Sequence, residues 1–306
     1  MIILFGPTGV GKTDLSQLIA HNLPVEIINM DMGSFYTPLT IGTAKPDWQH
    51  QSVRHHLFDI INQPNYYTVA EYRNDVLRVS AEIRSRGAIP LVVGGSAFYL
   101  ASLFFPPREG TVSETDFHPS GPESDWWHQL AQIDPERARA IHPHDHYRIK
   151  RALAVWHTTG KRPSELAPVY QPVDERVVLI HLTRDRADLF ARINARVAQM
   201  MQAGWIDEVA RLRGTAWDAF IKEKKIIGYD DILVYLEHQN GITREELIEI
   251  IAAKTRRYAK RQEMFWNKLV RDLQHVPPSS APVIQSVNLT LTDVELYIKQ
   301  LLKTIS

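Results

Sequence analysis

Residues 6–13, Gly6, Pro7, Thr8, Gly9, Val10, Gly11, Lys12 and Thr13, match the pattern G-x-x-x-x-G-K-[ST] in full. Glycines at these spacings let backbone N–H groups turn inward into an anion nest, and the helix that follows adds the positive end of its dipole. Lys12 is placed to reach terminal phosphates, and the Thr13 hydroxyl to ligate Mg²⁺. That chemistry is the binding of a di- or triphosphate. The duller alternative, a glycine-rich turn with no ligand, fits poorly with the apolar run before the loop and the helical pattern after it. A nucleotide hydrolase would place a magnesium-associated Asp after a later apolar strand. Here that run, 89–93, ends in Gly94, Gly95 and Ser96 instead. The carboxylate comes earlier, at Asp31, after a second apolar run. A carboxylate at the carboxyl end of a parallel strand faces the ligand crevice. As a general base there it suits transfer of a group to an acceptor better than hydrolysis.

The elements that must hold these residues alternate along the chain. Residues 2–5 form an apolar run that stops at Gly6, and Leu15, Leu18 and Ile19 fall at helical spacing within 14–20. Strand-like runs at 25–28 and 89–93 follow, with a helical stretch at 72–86 between them. Such alternation predicts βαβ units and a parallel sheet. Residues 106–128 open with two prolines and are polar, as in a loop or linker. The pattern is helical from 126 to 157, broken at Pro135 and Pro143. A second linker, 160–173, carries Gly160, Pro163, Pro168 and Pro172. Residues 177–182 read as a buried strand returning to the sheet, with Asp185 placed to cap the next helix. The remainder is largely helical, including 243–270. The expected fold is α/β, a P-loop NTPase-like parallel sheet flanked by helices, made of residues 1–105 and 174–306. A mainly helical insertion, 106–173, interrupts it.

With 35 Lys and Arg against 35 Asp and Glu, the formal charge of the 306 residues is zero, so bulk attraction to a polyanion is excluded. Any nucleic acid must be held by local patches. Two exist in the sequence. Arg148, Lys150 and Arg151 are followed by Lys161 and Arg162; further on, Lys254, Arg257 and Arg261 share a helix face with Arg256 and Lys260 beside it. The acids Glu109, Glu114, Asp116, Glu123 and Asp125 stand apart from both. The chain has no cysteine, which rules out a disulfide scaffold, a thiol nucleophile and a thiolate metal site. The adjacent pair His55 and His56 has no third ligand at suitable spacing and reads as structural. Trp126 and Trp127 read as the core of the insertion. No apolar run approaches the ~20 residues of a membrane span. No signal peptide precedes the first strand, so a cytoplasmic monomer with no membrane partner is expected.

Beyond the loop, further strings occur in order: Asp31-Met-Gly-Ser-Phe-Tyr36, Ile41-Gly-Thr-Ala-Lys-Pro46, His55-His-Leu-Phe-Asp59 and Gly94-Gly-Ser-Ala-Phe-Tyr99. Then come Ile141-His-Pro-His-Asp145, Thr159-Gly-Lys-Arg-Pro-Ser164, Ile227-Gly-Tyr229 and Thr255-Arg-Arg-Tyr-Ala-Lys-Arg-Gln262. In these the chain closely resembles the tRNA dimethylallyltransferases (tRNA isopentenyltransferases), from residue 2 to about 267. The resemblance implies transfer of the dimethylallyl group of dimethylallyl diphosphate to N6 of the adenine just 3′ of the anticodon, with Mg²⁺ as cofactor. It assigns Asp31 as base and keeps a hydroxyl near the reacting centre in Ser96, where the family usually has Thr. It gives Arg196 a place on the diphosphate beside the loop, and Met32, Gly33 and Ser34 places on the target nucleotide. It implies that the insertion grips the anticodon stem-loop through Tyr147, Arg148, Lys150 and Arg151, while Arg257, Lys260 and Arg261 hold RNA on the core. Tyr36 and Tyr147 are candidates to stack on bases, with His144 or His146 adding polar contacts.

This sequence departs from the family at several of those positions. Met32 stands for Ser, Ser34 for Gln, Tyr147 for Gln, His144 for Asn and Asn267 for Arg. The diphosphate side is thus better kept than the base-reading side. Three other readings stay open on the residues alone: a small-molecule P-loop kinase, an adenylate prenyltransferase, and an RNA-binding paralogue without activity.

Overall fold

The computed structural model describes residues 1–106, 117–166, 169–174, 176–238 and 241–305. The loop expected at 106–128 lies partly outside them, as do Pro107, Glu109, Glu114, Asp116 and Pro168.

The described residues form two compact units, Met1–Phe104 with Pro172–Ser306, and Phe105–Gln171. In the first, a six-stranded sheet has the order β3-β2-β4-β1-β5-β6, and every pairing is parallel. The strands are β1 (Ile2–Phe5), β2 (Val25–Asn29), β3 (His55–His56), β4 (Ile89–Gly94), β5 (Val178–Thr183) and β6 (Val283–Asn288). β1 and β2 are buried at every residue. That is why β1 reads as an unbroken apolar run without alternation, as a strand covered on both faces does, while β2 carries the buried Glu26 and Asn29, each with hydrogen-bond partners. Because β2, β4 and β1 are parallel neighbours, the chain leaves all three at the same edge of the sheet. This one fact of topology brings Gly6, Asp31 and Gly95 to a common place.

Helices α1 (Lys12–Asn22), α2 (Val69–Ser85) and α3 (Ala97–Ser102) belong to the first half of this unit. Thr68 and Glu71 form a capping box that starts α2 three residues earlier than its apolar spacing predicts. The insertion contains α4 (Glu123–Ile133), α5 (Pro135–Arg139) and α6 (His146–Thr159), with Trp126, Leu130, Ile149 and Leu153 in its core. Asp134 caps α5 at Arg137 N and also accepts from Ser164 N at 2.8 Å, which ties the unit's last turn to its middle.

After β5 come α7 (Arg186–Gln202), α8 (Trp205–Leu212), α9 (Ala216–Lys224), α10 (Tyr229–His238), the long α11 (Arg244–Leu273) and α12 (Val294–Ile305). Asp185 stands at the N-cap of α7, but its carboxylate accepts from Asn288 Nδ2 at 2.9 Å instead of capping the helix. Strands β3 and β6 extend the sheet at its two edges beyond the four strands visible as apolar runs. Among the described residues no helix is long and apolar enough to cross a membrane.

Candidate active site

The loop leaves β1 at Gly6 and turns back into α1 at Gly11, whose φ of 107° is open to glycine but strained for other residues. The N–H groups of Gly9, Gly11, Lys12 and Thr13 have no hydrogen-bond partner among the described residues. They form the donor set of the nest. Two other loop residues differ from expectation. The Val10 N–H bonds Pro7 O at 3.3 Å, and the Thr8 N–H bonds Gln262 Oε1 at 3.0 Å. Both amides are engaged in holding the loop's shape. Two arginines brace it from outside, Arg192 Nε donating to Gly9 O at 2.9 Å and Arg184 Nε to Val10 O at 2.7 Å. By drawing carbonyls outward, they turn the opposite faces of those peptides inward. The Lys12 ammonium donates to Gly6 O at 3.0 Å and Pro7 O at 3.1 Å.

Asp31 sits just past β2, at the N-cap position of the short 3₁₀ turn Met32–Phe35. Its carboxylate does not cap that turn. Oδ1 reaches across to accept from Gly95 N at 2.5 Å, while Asn29 Oδ1 accepts from Asp31 N at 2.9 Å and holds the backbone. The Ser96 hydroxyl accepts from Met32 N at 3.1 Å, and Ser96 N donates to Met30 O at 3.2 Å. The turns after β2 and β4 are thereby stitched together, with the carboxylate and the hydroxyl on the seam.

Burial pushes the Lys12 ammonium below its usual range; Asp31 opposes that shift and Arg196 adds to it. Burial also lowers Arg196, again opposed by Asp31. A carboxylate and two poorly solvated cations therefore lie within one another's field. Tyr258, from α11, is hydrogen-bonded with the Ser96 side chain. Burial, reinforced by the charge of Asp31, raises its phenol well beyond the ordinary range.

Gln262 closes the 255–262 string, but nothing in the sequence announces what it holds. It is 3% exposed, accepting from Thr8 N and donating through Nε2 to Gly95 O at 2.7 Å. One side chain from α11 thus ties the phosphate loop to the turn that carries Ser96. A Cβ on Gly95 would fall 2.3 Å from Gln262 Nε2 and 3.0 Å from Gly6 O. Glycine there is a requirement of this close approach. A cleft of about 510 Å³ between β6 and α12 shares no residue with the cluster.

The other strings have structural work close by. The carboxylate of Glu208 accepts from Ile41 N at 2.8 Å and from Tyr229 OH at 2.6 Å, latching the 41–46 segment. Lys45 pairs with Asp59, which also accepts from Trp48 Nε1 at 2.8 Å. Ser34 is buried and Met32 and Gly33 are half-buried within the 3₁₀ turn. Tyr36 corrects an expectation: it is buried against Trp217 and Phe220 with its hydroxyl on Asn65 O, so it does not stack on a base. His56 bonds Glu26, and His55 bonds Val53 O, both in structural roles.

The basic face of α11 divides. Lys254 pairs with Asp231, and Arg256 with Glu249 and Asn194, so these two serve the scaffold. Arg257, Lys260 and Arg261 are exposed, with no ion pair among the described residues. Within the insertion, Tyr147, Arg148 and Arg151 are exposed and Lys150 half-buried on α6. Arg148 is engaged by Asp145 at 2.9 Å, and His146 bonds Glu123 at 2.5 Å.

No group of three or more His, Cys, Asp or Glu able to hold a metal occurs among the described residues. A hard cation that keeps most of its water and binds through phosphate oxygens needs little from protein. The exposed Thr13 hydroxyl in the first turn of α1 has no hydrogen-bond partner among the described residues and meets that need.

A family model described as IPP transferase matches residues 34–269. The tRNA dimethylallyltransferase of Pseudothermotoga lettingae is 37% identical over 295 residues, covering 94% of this chain and 93% of its own length. That of Bacillus subtilis is 37% identical and covers 88% of each. Among solved structures, the tRNA isopentenylpyrophosphate transferase of Bacillus halodurans has a TM-score of 0.67 at 30% identity, over 99% of this chain and 94% of that one. A eukaryotic dimethylallyltransferase acting on tRNA has a TM-score of 0.73 at 26% identity, over 95% of this chain and 74% of that one. The phosphate loop precedes the matched segment, yet the segment takes in Gly94, Gly95, Ser96, Arg196 and Gln262. On that match and on relatives above a third identity along most of its length, the chain belongs to the IPP transferase family.

Proposed function

We propose that this protein transfers the dimethylallyl group of dimethylallyl diphosphate to N6 of the adenine 3′ of the anticodon, position 37, in tRNA. The observation that carries the reading is the carboxylate of Asp31 fixed beside the phosphate loop within the field of Lys12 and Arg196. The names of the relatives support the substrate.

The nest of the Gly9, Gly11, Lys12 and Thr13 amides, with the side chains of Lys12 and Arg196, holds the diphosphate and offsets the charge that grows on it as the C1–O bond breaks. The adenine N6 attacks C1, forming the N6–C1 bond, and its surplus proton passes to the Asp31 carboxylate. An amine conjugated to a purine is a weak nucleophile, so this base contributes about 10²–10⁴ in rate. Thr13 would hold Mg²⁺ against the diphosphate, where the ion supplies further charge neutralisation to the leaving group. Ser96, tied to Met32 N and Tyr258, keeps a hydroxyl beside the base. On the RNA side, Arg257, Lys260 and Arg261 supply phosphate contacts from the core, and Tyr147, Arg148, Lys150 and Arg151 from the insertion. The protein works in the cytoplasm as a monomer.

The test is incubation with labelled dimethylallyl diphosphate or labelled ATP, plus unmodified tRNA, AMP or ADP as acceptors, with and without EDTA. Prenyl label on tRNA that disappears with EDTA is the expected result. Label on AMP or ADP alone, phosphate transfer from ATP, or RNA binding without transfer would each replace the proposal with a different activity.

A further inference from the structure

Two aromatic side chains beside the site have no role in the chemistry above. Phe98 follows Ser96 by two residues on α3 and is 63% exposed. Its ring meets that of Phe265, from α11, at a centroid distance of 4.8 Å and 60°. Together with Ala101 and Leu269 they line an apolar groove of about 170 Å³. A cavity of about 150 Å³ takes one benzene ring. The groove therefore suits a single planar ring and is too small for a partner helix.

The surroundings decide which ring. At 3.6 residues per turn, Arg257, Arg261, Met264, Phe265 and Lys268 fall within a sector of about 100° on α11. The buried Gln262, Trp266 and Leu269 lie outside it. Met264 is 68% exposed and Lys268 is exposed, pairing with Asp272 at the groove's end. Cations interleaved with open aromatic surface are the pattern by which proteins hold unpaired nucleotides, stacking the base and tracking the phosphates. An apolar partner protein would gain nothing from the flanking arginines.

We propose that Phe98 and Phe265 form a stacking platform for an unpaired base of the RNA loop next to the acceptor adenine. This inference rests on the reading of tRNA as the acceptor. Because Ser96 stands at the N-cap and Phe98 in the first turn of the same short helix, the platform lies within one turn of the hydroxyl that marks the reacting centre. A base held there draws its neighbour out of the loop stack and toward Asp31. The platform thus acts on RNA affinity and on presentation of the adenine, and leaves dimethylallyl diphosphate binding alone.

The experiment uses anticodon stem-loop RNAs carrying 2-aminopurine at each unpaired position flanking the acceptor adenine in turn. Binding of the unaltered protein should quench one of these positions. Phe98→Leu and Phe265→Leu should remove that quench and raise KM for the stem-loop about tenfold. Phe98→Trp should keep both, and the affinity for dimethylallyl diphosphate should stay within twofold in all three. Phe98 is open enough that its substitution leaves folding intact. Absence of quench at every position, or quench and KM unchanged in the leucine variants, would overturn the platform. So would a change of oligomeric state in Phe98→Leu, which would assign the face to self-association. Quench without any prenyl transfer by the unaltered protein would leave the platform standing and overturn the reaction instead.

Discussion

Replacing Asp31 with Asn separates two roles of one carboxylate. The amide keeps an oxygen that can accept from Gly95 N, where the carboxylate now does so at 2.5 Å. Exchange of a charge-assisted hydrogen bond for a neutral one costs about 1 kcal/mol of stability, so the variant folds. The base is lost. At about 10²–10⁴ for general base catalysis, single-turnover prenyl transfer should fall by that factor, or about 3–5 kcal/mol in barrier height. The second role concerns Lys12, whose proton affinity is lowered by burial and restored in part by Asp31. Without that charge the Lys12 pKa falls further, and its ammonium is lost at a lower pH than in the parent protein. Binding of dimethylallyl diphosphate at pH 6 should then be equal or tighter, since a negative neighbour is gone, but should weaken earlier as the pH rises toward 9. Rapid-quench transfer assays and calorimetric titrations at several pH values read the two effects independently. A transfer rate within tenfold of the parent would refute the base assignment. Binding curves that fall at the same pH in both proteins would refute the coupling of Asp31 to Lys12.

Gln262→Met keeps the volume but removes both hydrogen bonds of the clamp, leaving Gly95 O buried without a partner. Stability should fall by about 2 kcal/mol, read as the shift of the urea midpoint, with a rise in KM for dimethylallyl diphosphate as the loop loosens. Arg257→Ala with Arg261→Ala should flatten the plot of log K for RNA against log salt by about 0.7–0.9 for each phosphate no longer neutralised, in filter-binding titrations. Glu26 is held by Arg86 at 2.8–2.9 Å and by His56, which together lower its carboxyl from the ordinary 4.5 to about 2. Its contribution is present above pH 4.5 and lost as the pH falls toward 2. Up to about 3 kcal/mol of acid-sensitive stability should therefore vanish from the pH dependence of Glu26→Gln.

What was legible in the sequence was local. A phosphate loop is an eight-residue statement whose geometry follows from its glycines, and Asp31 could be placed because an apolar run announces where a parallel strand ends. The clamp of Gln262 had no such signal: it joins residues 254 and 167 positions apart. Only the packing of α11 brings them together. The same holds for Arg184 and Arg192, which reach the loop from 174 and 183 residues away. Edge strands β3 and β6 were missed because neither forms an apolar run: β6 is largely exposed and β3 spans two half-buried histidines. Tyr36 misled for the opposite reason. Aromatic residues serve both cores and bases, and only burial distinguishes the two. The start of α2 was readable in principle, since its capping box is a sequence pattern.

The zero net charge also acquires a structural meaning. Several cations that serve the scaffold are matched by an acid: Arg86 by Glu26, Arg184 by Asp188, Lys254 by Asp231 and Arg256 by Glu249. The balance of 35 against 35 is to this extent a count of internal bonds. On the proposed function, α11 offers RNA three exposed cations, Arg257, Lys260 and Arg261. Three neutralised phosphates give a salt slope of about −2 to −3, so a rise from 50 to 200 mM salt would weaken this face about twenty- to fortyfold. Losses of 10³–10⁵ belong to proteins that neutralise two or three times as many phosphates. A face this modest leaves specificity to what lies beside it, the stitched turn of Asp31 and Ser96.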